Sequence, residues 1–168
     1  GNIIIDDANI GANFNGIIDL TGKLPVFDFN LKVKEANLYA LNFIKNYSGA
    51  YISFNGKTNM IGNNPDNLNG IIRFDSITLI NNNKTLNVNK ILFTSETSPT
   101  NTNFSISSDY LNGSVSGNFR YSSLPATINK IIQYYLPSLT AWKNNVTENG
   151  SNNLIKIDLD IANTNEIS

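Results

Sequence analysis

Apolar and polar residues alternate along most of this chain. Phe27, Phe29, Leu31 and Val33 interleave with Asp28, Asn30, Lys32 and Lys34, which predicts a strand with one apolar and one wet face. Ile155, Ile157, Leu159 and Ile161 interleave with Lys156, Asp158 and Asp160 in the same way. Phe104 and Ile106 alternate with Ser105 and Ser107, and Val115, Gly117, Phe119 and Tyr121 continue the pattern after a break. Ile52 and Phe54 open another run, with Met60 in phase. Two segments change phase: Leu68, Ile72 and Phe74 give way to Ile77 and Leu79, and Leu86 and Val88 to Ile91 and Phe93. Such a change predicts a bulge or a strand buried on both faces.

Turn chemistry punctuates the runs. Asn-Gly occurs at 15–16, 55–56, 69–70, 112–113 and 149–150. Both residues tolerate positive φ, so hairpin turns are expected at Asn112-Gly113 and Asn15-Gly16. Asn55-Gly56 reads as a turn or as a weak point inside a long strand. Loops are expected over 62–67, 81–83, 96–102 and 143–153. Asn15-Gly16-Ile17-Ile18 is echoed by Asn69-Gly70-Ile71-Ile72 and by Asn112-Gly113-Ser114-Val115. The spacing is unequal, so the echo suggests a meander of similar hairpins and not a strict solenoid.

One segment has a helical period. Leu124, Ile128, Ile131, Ile132, Tyr135 and Leu136 trace one face, with Ser122 or Ser123 to cap the start, Pro125 in the first turn and Pro137 at the stop. This predicts a short amphipathic helix over 124–136. It carries one cation, Lys130, whereas membrane-surface helices are rich in Lys and Arg. Covering an open edge or mouth of the sheet is therefore the favoured role, over lying on a membrane. A weaker candidate over 38–47 amounts to a turn or two.

Composition narrows the chemistry. Among 168 residues there is no Cys and no His, which excludes disulfide scaffolds, thiolate nucleophiles, His-based zinc sites and imidazole triads. Net charge is −1 and no basic run occurs, so nucleic acid is not an expected partner. The charged fraction is low, and 31 Asn residues fill the deficit. No segment approaches the ~20 apolar residues that cross a bilayer, and no signal-peptide pattern is seen. The chain opens at Gly1 and runs into Ile3-Ile4-Ile5, which reads as a piece excised from a larger protein. No step in composition divides it, so residues 1–168 are expected to form one β-rich domain.

Carboxylates are the remaining candidates for catalysis. Asp6 and Asp7 are adjacent and point to opposite faces of a strand. Asp158 and Asp160 share a face, as in a metal-binding Asp-x-Asp, but the wet side of an amphipathic strand explains them as well. Glu35 falls where an apolar residue is expected after Val33, and reads as a strand end or a bulge. Asp66-Asn67 after Pro65 suits a turn more simply than a Ca²⁺ loop. Neither a phosphate-binding glycine loop nor a convergent acid pair is present, so no enzymatic activity, cofactor or metal is expected.

The order of pieces resembles a known family. Asp28-Phe29-Asn30-Leu31-Lys32-Val33 precedes Ala36-Asn37-Leu38-Tyr39-Ala40-Leu41-Asn42, and a strand follows through Ile52 and Phe54. Then come Gly62, Asn67-Leu68-Asn69-Gly70-Ile71-Ile72, Ser107-Ser108-Asp109-Tyr110-Leu111, Ser116-Gly117-Asn118-Phe119, Leu124-Pro125 and Tyr135-Leu136-Pro137. Over roughly residues 10–140 this is similar to the periplasmic repeats of the TamB-like proteins of the AsmA-like superfamily, in their Bacteroidetes form. The family's motifs are degenerate, and neither its N-terminal anchor nor its C-terminal segment is recognisable here.

The resemblance implies an internal fragment of an inner-membrane-anchored, envelope-spanning periplasmic protein of a Gram-negative cell. It implies a curved antiparallel β-groove, the "β-taco", with an apolar interior. It also implies a non-enzymatic role in phospholipid transport to the outer membrane, or in a translocation and assembly module with an outer-membrane barrel partner. Phospholipid acyl chains would be the cargo. From the alternation, Phe27, Phe29, Leu31, Val33, Ile52, Phe54, Phe104, Ile106, Ile155, Ile157, Leu159 and Ile161 are expected to line the groove. The edge strands near 3–5 and 155–161 are expected to self-associate. The alternative architecture is a closed β-sandwich acting as a binding or adhesin module for a glycan or a protein.

Overall fold

The alternating runs become strands that pair in the order in which they leave the sequence. In the computed structural model, residues 1–82, 84–123 and 155–161 are described. The expected helix over 124–136, the loop over 143–153 and Asn149-Gly150 lie outside those residues. The strands are β1 (Asn2–Asp7), β2 (Ile10–Asp19), β3 (Val26–Asn37), β4 (Ala50–Ile61), β5 (Asn69–Asn81), β6 (Lys84–Thr97), β7 (Thr102–Ser108), β8 (Leu111–Gly117) and β9 (Ile155–Ile161). They form one open nine-stranded antiparallel meander, with β1 and β9 at its two edges. The class is all-β. Among the described residues the only helical pieces are the 3-10 turns η1 (Pro65–Asn67) and η2 (Tyr121–Ser123).

Directly opposed residues in an antiparallel pair point to the same face. The register can therefore be followed from strand to strand. One row runs Gly16, Phe29, Thr58, Ile72, Phe93, Ile106, Gly113, Leu159. The next runs Ile18, Phe27, Met60, Gly70, Ser95, Phe104, Val115, Ile157. Neither row contains an ionisable side chain. The opposite face carries Asp28, Asn30, Lys32, Lys57, Arg73, Ser105, Ser114 and Asp158.

The phase change in β5 is a bulge. Ser76 takes φ 52, and the β4–β5 register slips by one residue between Ser53 and Asn55. Ile77 and Leu79 are thereby returned to the side of Phe74. The register of β3 also shifts between Val33 and Ala36, which leaves Glu35 exposed, as a bulge requires.

Two expected turns are corrected. Asn15-Gly16 lies inside β2, and Gly16 has φ 153 with no room for a Cβ, which would fall 2.4 Å from the Cα of Phe29. Its glycine serves a close cross-strand approach and not a reversal. Asn112-Gly113 lies inside β8, and the β7–β8 hairpin turns instead at Asp109-Tyr110. There the Ser108 hydroxyl oxygen accepts the N–H groups of Tyr110 (3.3 Å) and Leu111 (3.0 Å), a local turn motif that replaces the Asn-Gly one. Asn55-Gly56 is likewise within β4. The weak helical candidate over 38–47 is a single turn. The Asn37 side-chain carbonyl accepts from Tyr39 and Ala40, the Leu41 N–H reaches the Asn37 carbonyl, and Asn42 at φ 61 ends it.

Burial is shallow. The buried apolar residues, Ala12, Val33, Ala36, Ala50, Met60, Val88 and Phe119, are mostly small, and none of the described side chains is less than 2% exposed. Ala12, Val33 and Ala36 form a small cluster capped by Leu41 from the β3–β4 connection.

The two Gly positions in β2 give opposite expectations for substitution. Gly16→Ala should cost at least about 2 kcal/mol in a urea melt, because its φ and its contacts with β3 both reject a Cβ. Gly11→Ala meets only the Lys34 side chain at 3.7 Å and should be within about 0.5 kcal/mol of the parent. Equal effects at the two positions would contradict the register described here.

Candidate functional site

The candidate site is the apolar face itself. All the expected lining residues lie on it: Phe27, Phe29, Leu31 and Val33 from β3, Ile52 and Phe54 from β4, Phe104 and Ile106 from β7, and Ile155, Ile157, Leu159 and Ile161 from β9. The sequence reading missed Phe14, Ile72, Phe74, Ile91, Phe93 and Val115, which share this face. Most of these sit beside a phase change or an Asn-Gly pair, where the alternation by itself misleads.

Aromatic side chains run across the strands. Phe54 meets Phe74 edge-on with centroids 5.4 Å apart, Phe74 meets Phe93 at 6.5 Å, Phe93 meets Phe104 at 6.3 Å, and Phe104 meets Tyr121 at 6.2 Å. A separate pair, Phe14 and Phe29, is 4.9 Å apart. Each such contact adds about 0.5–1.5 kcal/mol beyond its buried area. Gly56 lies beneath the Phe54 and Phe74 rings, and a Cβ there would approach both at 3.4–3.5 Å. The rings thus cover a strand position that has no side chain of its own.

The face stays accessible. Ile157 is 56% exposed, Leu159 65% and Ile3 57%. The described residues form one sheet, so none of them supplies the second layer of a sandwich.

One end of the face is covered. After β8 the chain turns inward: Phe119 is buried, Tyr121 packs on Phe104, and the Thr102 hydroxyl donates to the Phe119 carbonyl at 2.9 Å. Three strand spacings separate β5 from β8, roughly 15 Å on a flat sheet. Nevertheless η2 reaches the β4–β5 connection, where Asp66 accepts the Ser122 N–H at 3.0 Å and its hydroxyl at 2.7 Å. Under this contact lies a cavity of about 370 Å³, walled by Met60, Pro65, Leu68, Ile72, Phe93, Phe104 and Tyr121. The Ser95 hydroxyl inside it donates to the Leu68 carbonyl at 2.6 Å and pairs with the Tyr121 hydroxyl at 3.0 Å.

The carboxylates considered for catalysis are dispersed. Asp158 is exposed on the polar face and paired with Lys156 at 3.0 Å. Asp66 belongs to a turn capped by Asn64. No group of three or more metal-ligating side chains occurs among the described residues. Set against protein-family models, curated proteins and solved structures, the chain finds no significant match in any of the three.

The Ser122 N–H bond holds the Asp66 carboxyl below its ordinary value of 3.8; burial opposes it, and the Ser122 hydroxyl, the Arg120 charge and the Tyr121 backbone N–H add to the lowering. A carboxyl lowered on folding contributes stability that is present above its unfolded pKa and lost as pH falls through the folded one. The stability advantage of the parent over Asp66→Asn should therefore be constant from about pH 7 to 5 and shrink below about pH 4 in denaturant melts. An advantage that grows on acidification would contradict this contact.

Proposed function

We propose that this chain is a segment of an apolar β-groove. In this reading it belongs to a periplasmic protein anchored in the inner membrane, along which phospholipid acyl chains move toward the outer membrane. A barrel protein of the assembly type is its proposed outer-membrane partner, and the chain has no catalytic role. One observation carries the reading: an apolar face whose two central rows hold no ionisable side chain, with Asp7 and Lys84 only at its margin, and which remains partly exposed. A hydrocarbon tail needs a continuous apolar track with few hydrogen-bonding groups along it. A water-soluble domain with no such ligand has reason to bury that face instead.

The binding-module alternative would require the face to be sealed by a second sheet, and the described strands form only one. The resemblance of the segment order to the TamB-like repeats supports the envelope setting.

Phe29→Asp separates the two readings. On an open face the new carboxylate stays hydrated, so the chain should remain folded with a loss of about 1–3 kcal/mol in thermal melts. Cells carrying the change should show a permeable outer membrane. A folded variant with an intact envelope would contradict the groove. An unfolded one would point to a sealed core, where an unpaired buried charge is not tolerated.

The edges give a second test. Every residue of β1 is exposed, Ile3, Ile4 and Ile5 among them, and no Lys or Pro guards the strand. We propose that the chain self-associates through an edge strand. Sedimentation should show concentration-dependent dimers that Ile4→Lys abolishes, whereas a parent that stays monomeric at high concentration would contradict the proposal.

A further inference from the structure

The apolar face is closed at one of its ends by the chain itself. The closure joins two 3-10 turns separated by more than fifty residues, and its polar contacts centre on half-buried Asp66, which accepts two hydrogen bonds from exposed Ser122 and is also reached by the Tyr121 backbone N–H and the Arg120 charge. Exposed hydrogen bonds of this kind exchange readily with water. Behind the contact the wall is aromatic and aliphatic. Its polar groups are already satisfied within the protein, since Ser95 bonds to the Leu68 carbonyl and to Tyr121. A polar ligand would find no hydrogen-bonding partner there. The cavity volume, about 370 Å³, falls within the range of small-ligand sites. Its Phe93 and Phe104 walls continue the aromatic row of the face, so the cavity is the end of that row and not a separate site.

We propose that η1 and η2, joined through Asp66 and Ser122, form a gate at one end of the apolar face, and that the cavity behind it receives the methyl end of a single unbranched hydrocarbon chain. The inference rests on the reading that the face takes hydrocarbon, and adds to it a point of control. With the gate closed, a chain on the face ends in the cavity. With the gate open, the track continues past the β4–β5 connection. The turns are suited to this because they lie outside the sheet ladder: opening them breaks the Asp66 and Tyr121 contacts and leaves the strand pairing intact.

The test uses cis-parinaric acid, a linear polyene whose fluorescence rises in apolar surroundings, with phosphatidylcholine vesicles as acceptor in stopped-flow exchange. Asp66→Ala removes both hydrogen bonds and should raise uptake and release rates about tenfold, with the affinity changed by less than about threefold. Ser122→Ala keeps the backbone donor and should give an intermediate rate. Ile72→Phe fills the cavity and should weaken binding without speeding exchange. Circular dichroism melts of each variant show that the fold is retained. Parent-like exchange in Asp66→Ala would overturn the gate while leaving the face as a hydrocarbon site. Unchanged affinity in Ile72→Phe would overturn the cavity as the seat of the chain end. A parent that binds no probe would overturn both this inference and the reading beneath it.

Discussion

Everything in this structure depends on strand register. A β-strand sends alternate side chains to opposite faces, so a slip of one residue would turn an entire apolar set into water. Here the pairing is carried through eight successive strand pairs, so the inward rows stay together on one side, while Ile4, Ile17, Ile71 and Leu92 fall on the polar face. Where the alternation breaks, the backbone compensates. Ser76 adopts a left-handed conformation so that β5 can present Phe74 and then Ile77 to the same side. The shift in β3 between Val33 and Ala36 absorbs the charged pair Lys34-Glu35, which stays exposed.

Glycine and aromatic residues act together on this face. Gly16, Gly56, Gly70 and Gly113 all fall on it, each opposite or beneath a larger side chain. Removing a side chain at these points lets neighbouring strands and rings approach, and it favours a sheet that curls toward its apolar side. The curl brings η2 within reach of the β4–β5 connection, from which the covered end and its cavity follow. The same glycines account for the errors in reading turns from sequence. An Asn-Gly pair has the chemistry of a hairpin turn, and nothing local distinguishes it from a pair whose glycine sits under a partner's phenyl ring.

Much of the site was nevertheless legible. β3 from Phe27 to Val33 and β9 alternate without interruption, and their inward residues follow directly from the period. The bulges could be anticipated as phase changes, though not placed. Phe14, Phe74 and Phe93 escaped the reading because the alternation around them is broken by glycine or by a bulge. The Asp66–Ser122 contact had no signal at all: it joins turns 56 residues apart, and their meeting depends on the curvature of the whole sheet.

The face is costly to leave in water, and that cost is the reason to expect an occupant. Ile3 of β1 and Ile157, Leu159 and Ile161 of β9 stay more than half exposed, and the buried set is made largely of small side chains. Apolar surface is worth about 25 cal/mol per Å² when removed from water, so a bound hydrocarbon chain would stabilise the sheet as well as be carried by it. Native mass spectrometry of the chain, purified without added detergent, tests this most directly. The account predicts a bound population heavier by the mass of one phospholipid or fatty acid, lost on delipidation with a fall in melting temperature. A ligand-free chain of unchanged stability, refusing lipid on reconstitution, would contradict it.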